Sequence, residues 1–188
     1  TKDSVLDKEK IIQVGWLVFE VSPDEKVKIL KTQRRYVYLG VPLSKFIKKL
    51  TNITDEELDN GESLVDIFEA LKKDQKDFDT SRVIREWGSG DMSQLRLEVV
   101  SEVNDTKMTD SRDFWPFGRS GFNVKHLFQA YAYANNKKSR GGLLSSMKKM
   151  GLSWINSGFK DGGQHDATND AINTAYVYCE LEKLFKKS

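Results

Sequence analysis

From Ile11 to Val21 the chain reads Ile-Ile-Gln-Val-Gly-Trp-Leu-Val-Phe-Glu-Val, apolar at nearly every position. A strand with one wet face alternates polar and apolar residues; a run without alternation is a strand buried on both faces. Such a strand needs cover above and below, so this segment alone argues for an α/β architecture, a mixed sheet with helices on its faces. Ser22-Pro23-Asp24-Glu25 follows as a turn. Val27 and Ile29 then alternate with Lys26 and Lys28 in a half-exposed partner strand, which predicts a hairpin. A third stretch, Tyr36 to Leu39, extends that hairpin or forms a loop shoulder.

Helical spacing dominates the rest. Ser63 with Asp66 three residues on is a capping-box pattern, and Leu64, Ile67, Phe68 and Leu71 form the core stripe behind it. Val83 to Gly88 reads as a short buried strand. A helix then starts at Asp91, with Met92, Leu95, Val99 and Val103 on one face. A last helix carries Ala171, Ile172, Ala175, Tyr178 and Cys179 together. Neither repeats nor a low-complexity linker interrupt the 188 residues, and Asn104 to Gly121 is the one long loop candidate. That length predicts a single domain over 1–188. With 38% hydrophobic residues there is material for a sizeable core, which excludes a disordered tail.

Composition excludes some partners. The single cysteine, Cys179, rules out an internal disulfide and fits a reducing, cytoplasmic compartment; its place on an apolar helix face makes it core. No run approaches the ~20 apolar residues of a membrane span, so no membrane partner is expected. Basic and acidic residues nearly balance, 30 against 28, so charge alone does not announce a nucleic-acid binder. An enzyme that handles one strand end needs only a local basic rim.

The chemistry gathers at two junctions. Asp91 stands at the carboxyl end of a strand, where open α/β sheets place their ligands. Asp170 lies in the first turn of the last helix, five residues after His165, which Gly162-Gly163-Gln164 holds in a loop mouth. A carboxylate that holds an ion beside an imidazole that takes a proton from water suits metal-assisted hydrolysis. The plainer alternative is an ordinary helix start, with Asp170 complementing the dipole and His165 capping or packing. Asp91 alone would equally serve as an N-cap.

Order and spacing of several weak motifs point further. Lys10-Ile11-Ile12-Gln13-Val14-Gly15 matches a Glu-Ile-Ile-Glu-Ile-Gly strand. Pro42-Leu43-Ser44 and Leu50-Thr51-Asn52-Ile53-Thr54 match a leucine-serine and leucine-threonine-glycine-isoleucine-threonine segment. Trp87-Gly88 with Asp91, the strand-like Phe122-Asn123-Val124-Lys125-His126-Leu127-Phe128, the short helix between Gly142 and Leu152, and His165 with Asp170 follow in order. Together they resemble the DEDDh-type 3′–5′ exonucleases of the RNase H-like superfamily, in the branch of small stand-alone domains. The resemblance implies an RNase H-like mixed sheet of about five strands flanked by helices. It also implies two-metal hydrolysis with Mg²⁺ or Mn²⁺, releasing nucleoside monophosphates from single-stranded RNA or DNA 3′ ends. Asp91 and Asp170 would be metal ligands and His165 the catalytic base. Leu50, Thr51 and Asn123 would border the substrate.

The departure from that pattern is at the front. The family carries Asp-x-Glu on a first strand directly ahead of the Ile-Ile-x-x-Gly strand. Asp7-Lys8-Glu9 has the letters, but Glu9 is too close to Ile11 to lie mid-strand before a reversal. The first strand is therefore expected to be missing from a truncated chain, which by itself would be marginally stable with little nuclease activity. The competing expectations are a catalytically impaired module that binds nucleic acid or a protein partner, and a metal-free structural domain. Phe114-Trp115-Pro116-Phe117 with Arg119 is expected to anchor a loop rather than stack bases, the 135–140 run to be a solvated turn, and His126 to be a packed core residue.

Overall fold

The apolar run becomes β1 (Gln13–Val21), paired antiparallel with β2 (Val27–Tyr36) from Gln13 opposite Tyr36 to Val21 opposite Val27. The computed structural model describes residues 10–22, 26–103, 114–118, 121–158 and 165–186. The predicted turn at Pro23-Asp24-Glu25 lies outside them. A second sheet pairs β3 (Arg85–Glu86) with β4 (Phe122–Asn123) in parallel. The expected sheet of about five strands is thus, among the described residues, two sheets of two strands each. β1 is also less enclosed than its composition suggests. Trp16 and Val18 are buried, but most of the strand is half-buried and Glu20 and Val21 are exposed, because β1 has a strand on one edge only.

Seven helices surround the sheets: α1 (Lys45–Thr51), α2 (Asp55–Asp59), α3 (Leu64–Asp77), α4 (Asp91–Val103), α5 (Val124–Ala134), α6 (Leu143–Met150) and α7 (Ala167–Lys186). Among the described residues, none is long and apolar enough to cross a membrane. Ser63 caps α3 as its spacing predicts, and the full reciprocal box is at α2, between Thr54 and Glu57. The α3 stripe Leu64, Ile67, Phe68 and Leu71 is buried against Leu95 and Val99 of α4. Phe68 stacks on Trp115, with centroids 5.0 Å apart, and Phe114 and Phe117 close the same cluster. The aromatic loop is a core anchor; its Arg119 lies outside the described residues.

A second core joins Val124, Phe128 and Ala132 of α5 to Leu143 and Met147 of α6 and to Val177 and Leu181 of α7. These α5 positions are four apart, a helical period. The segment read as a strand through Phe128 is therefore strand only at Phe122–Asn123. Cys179 is buried, and burial pushes its thiol up to about 11, which suits an inert core residue.

α7 is fixed to β1 by close approach and by polar clamps. A Cβ on Gly15 would fall 2.3 Å from the Thr168 nitrogen, so only glycine lets the helix start lie on the strand. The Gln13 amide accepts from the Ala167 N–H at 2.8 Å, and Thr168 Oγ1 donates to the Gln33 carbonyl at 3.1 Å. Two fully buried amides on α7 then hold the 152–158 segment. Asn169 Oδ1 accepts from the Ser157 N–H at 2.8 Å. Asn173 accepts from the Ile155 N–H at 2.9 Å and donates back to the Ile155 carbonyl at 2.8 Å. Asn173→Ala orphans both Ile155 groups and should cost about 2–4 kcal/mol, at ~1–3 kcal/mol per buried group left unpaired. Urea unfolding measures the loss, and amide exchange at Ile155 should accelerate in parallel.

Candidate active site

After β3 the chain turns through Gly88 (φ 99°) and Gly90 (φ 123°), backbone angles that favour glycine, and enters α4 at Asp91. The first turn of α4 is capped not by Asp91 but by Glu86. Its buried carboxylate accepts from the Met92 N–H at 3.1 Å. Gly121 leaves room for it, since a Cβ there would fall 2.6 Å from Glu86 Cδ. Asp91 is therefore released to the surface at the helix start. Partial loss of solvent around its carboxyl, with Glu86 nearby, pushes its pKa up.

The second junction divides its two acids between different tasks. Asp166 is 3% exposed and fully committed. One oxygen accepts from the Thr168 and Asn169 N–H groups at 3.1 and 3.0 Å; the other meets Gln13 Nε2 and Arg34 Nε, each at 3.1 Å. It is the N-cap of α7, a role the sequence left to His165 or Asp170. His165, just ahead of it, is exposed in the left-handed region at φ 69°. Asp170, one helical turn beyond, is half-buried and makes no such pairings. Burial pushes its carboxyl up to about 6, His165 opposes that, and the charges of Asp166 and Asp91 add to it. Asp91, His165 and Asp170 are thus within electrostatic reach of one another, although they come from two distant parts of the chain.

An open groove of about 770 Å³ lies beside Asp91, lined by Glu86, Ser89, Ser93, Phe122, Asn123 and His126 among others. Asn123 was predicted as a substrate contact. Its Nδ2 is 3.3 Å from His126 Nε2, and its Oδ1 is buried without a partner. His126 is not the packed core residue expected from an apolar strand; it is exposed on α5, because the strand ends at Asn123. Leu50 and Thr51 sit elsewhere, on α1. Leu50 is 41% exposed, and Thr51 Oγ1 is bonded to the Ile47 carbonyl of its own helix; neither lines this groove. Glu86 is the residue that sequence reasoning missed, and no periodicity signals it.

Oxygen ligands with no paired cation suit a hard divalent ion, and the raised carboxyls of Asp91 and Asp170 fit that description. Among the described residues, however, no three His, Cys, Asp or Glu side chains gather closely enough to hold a metal. Asp3, Asp7 and Glu9, and the loop Gly162-Gly163-Gln164, lie outside the described residues. The two aspartates offer part of a ligand set.

Asp170 also gives stability a pH dependence. Its folded pKa of about 6 exceeds the ordinary 3.8, so the folded state binds the proton more tightly than the unfolded chain. The stability this contributes is complete below about pH 3.8 and is lost as pH rises through about 6. Urea midpoints in chelator, taken between pH 4 and 7, should show this slope in the native chain and lose it in Asp170→Asn.

No protein-family model matches the sequence, and no curated protein does. Solved structures do. A full-length 3′-exonuclease superposes with a TM-score of 0.72 at 17% identity, covering 94% of this chain and 54% of that one. A 3′-exonuclease described for 3′-end-specific recognition of a histone mRNA stem-loop gives 0.62 at 16% identity, over 91% of this chain and 64% of that one. Cell-death related nuclease 4 gives 0.66 at 15% identity, over 92% and 64%. The chain therefore has the mixed α/β fold of these 3′-exonucleases, and it spans between about half and two thirds of their length.

Proposed function

We propose that the chain is a metal-dependent 3′–5′ exonuclease that releases nucleoside monophosphates from single-stranded 3′ ends of RNA or DNA. The observation that carries this is Asp170, a carboxyl raised to about 6 that feels both Asp91 and His165 at a helix start, in a 3′-exonuclease fold. Asp91 and Asp170 would hold Mg²⁺ or Mn²⁺, two ions in the full site, which supply charge neutralisation on the phosphate and an activated water. His165, exposed at the mouth of the site, takes the proton from the attacking water. Asn123 presents a buried carboxamide oxygen to the groove, an acceptor suited to a sugar hydroxyl or a base N–H. Leu50 and Thr51 are proposed as substrate contacts on the strength of the resemblance alone.

One observation favours a second reading: no third metal-ligating side chain joins the two aspartates among the described residues. A catalytically impaired module that holds nucleic acid without cutting it has the same groove. A 5′-labelled single-stranded oligonucleotide incubated with Mg²⁺ or Mn²⁺ separates the two. Shortening from the 3′ end supports the nuclease; retention of an intact strand supports the binding module. Neither binding nor shortening in any metal would sink both.

A further inference from the structure

The two sheets do not meet. Between them lies a slot of about 510 Å³, walled by β1 from Gly15 to Val21 on one side and by 83–85, the approach to β3, on the other. Leu71 and Phe78 of α3 and Ala171 and Ala175 of α7 line it as well. The β1 wall spans seven residues, about 20 Å at ~3.3 Å per residue, which is the length of an ordinary strand. Both walls are strand edges: among the described residues, β1 pairs only with β2 and β3 only with β4.

Three properties of the slot define what fits it. Large apolar side chains stand open to solvent along it, Val21 at 40%, Leu30 at 39%, Phe78 at 39% and Val83 at 44% exposure. The one buried acid on its wall, Asp74, is already engaged by Trp16 Nε1 at 3.0 Å and Lys31 Nζ at 2.6 Å, so no free negative charge is offered. Arg85 Nε is buried there without an acceptor, although its Nη1 reaches the Val83 carbonyl at 2.8 Å. A compact ligand would leave two backbone edges unsatisfied. An extended, uncharged, apolar peptide satisfies both and brings carbonyls to Arg85.

We propose that this slot is a donor-strand site, which takes an apolar extended segment of another polypeptide between β1 and β3. The guest hydrogen-bonds to both walls, and the two pairs plus the guest make one continuous sheet of five strands. Ala171 and Ala175 are small enough to leave room for its side chains on the α7 face. This site is separate from the proposed nuclease chemistry, and its test does not read activity.

The probe is a synthetic peptide of six alternating valine and threonine residues with two lysines at each end, added to the whole chain. Amides on both walls, 16–20 and 84–86, should slow together by at least about tenfold in hydrogen exchange. The melting temperature should rise with peptide concentration. A peptide with proline at its third valine, which lacks a ladder N–H, should do neither. Val83→Asp, a change at an exposed wall position that leaves the circular dichroism unchanged, should weaken peptide binding about tenfold, ~1.4 kcal/mol. No protection at millimolar peptide overturns the proposal, as does undiminished binding by Val83→Asp. Protection of β1 alone means simple edge addition, and protection that grows with the chain's own concentration means a second copy; either overturns it. Protection seen only when the peptide is joined ahead of Thr1 assigns the slot to the same polypeptide and overturns a separate donor.

Discussion

Gly15→Ala is expected to destabilise the chain by about 3 kcal/mol or more, at the top of the ~1–3 kcal/mol typical of overpacking. The added methyl would sit 2.3 Å from the Thr168 nitrogen and 2.4 Å from the Ala167 carbonyl carbon, both backbone atoms. Neither can give way cheaply. Ala167 is held by Gln13, Thr168 by the Gln33 carbonyl, and the turn between them by Asp166, so relief requires lifting the whole helix start. Against a domain stability of about 5–15 kcal/mol, that is a large fraction. Gly88→Ala is the control. Its new methyl meets nothing within 4 Å, and only its φ of 99° is strained, which costs about 1–2 kcal/mol. Urea denaturation of the two variants side by side decides the matter; equal losses would mean that the helix-on-strand contact is not what requires glycine.

The second expectation is a divergence between activity and stability in Asp170→Asn. If Asp170 holds the metal, hydrolysis of a 3′-terminal nucleotide should fall by about 10³-fold or more, roughly 4 kcal/mol of barrier. Folding stability near pH 7 should move the other way. The carboxylate is costly there because burial and the charges of Asp166 and Asp91 act against it, and asparagine removes that cost. His165→Ala should lower hydrolysis by about 10²–10⁴-fold, the range of general acid–base catalysis, without the gain in melting temperature. A variant that loses both activity and stability would show Asp170 to be a packing residue, and the metal assignment would fail.

Long periodic segments were legible because a helix writes its buried face every three or four residues. The stripe of α3, the start of α4 at Asp91 and the apolar face of α7 could all be read from the chain. Phe122 to Phe128 was misread because a short apolar run carries no period of its own. Only by extending the count to Ala132 do the buried positions of α5 separate helix from strand, and with them the exposure of His126. Asn169 and Asn173 interrupt an apolar pattern on paper, yet are fully buried because their amides complete backbone groups of a distant segment. Asp166 and Asp170 look interchangeable in sequence. Only the folded neighbours, Arg34 and Gln13 at one and Asp91 at the other, separate a cap from a candidate ligand. The sheet was over-counted because strand composition reports burial, not how many edges are paired.

The clamp between Gln13 and Ala167 joins residues 154 positions apart. A ribosome delivers them in order, at about 5–20 residues per second, so β1 waits on the order of ten seconds for the helix that covers it. The α3–α4 core can assemble during that interval, but Asp170 cannot be placed until α7 has emerged and docked on Gly15. Interrupted synthesis would therefore leave the first hairpin uncovered and no assembled acidic site, so the candidate chemistry comes into being only with the last helix.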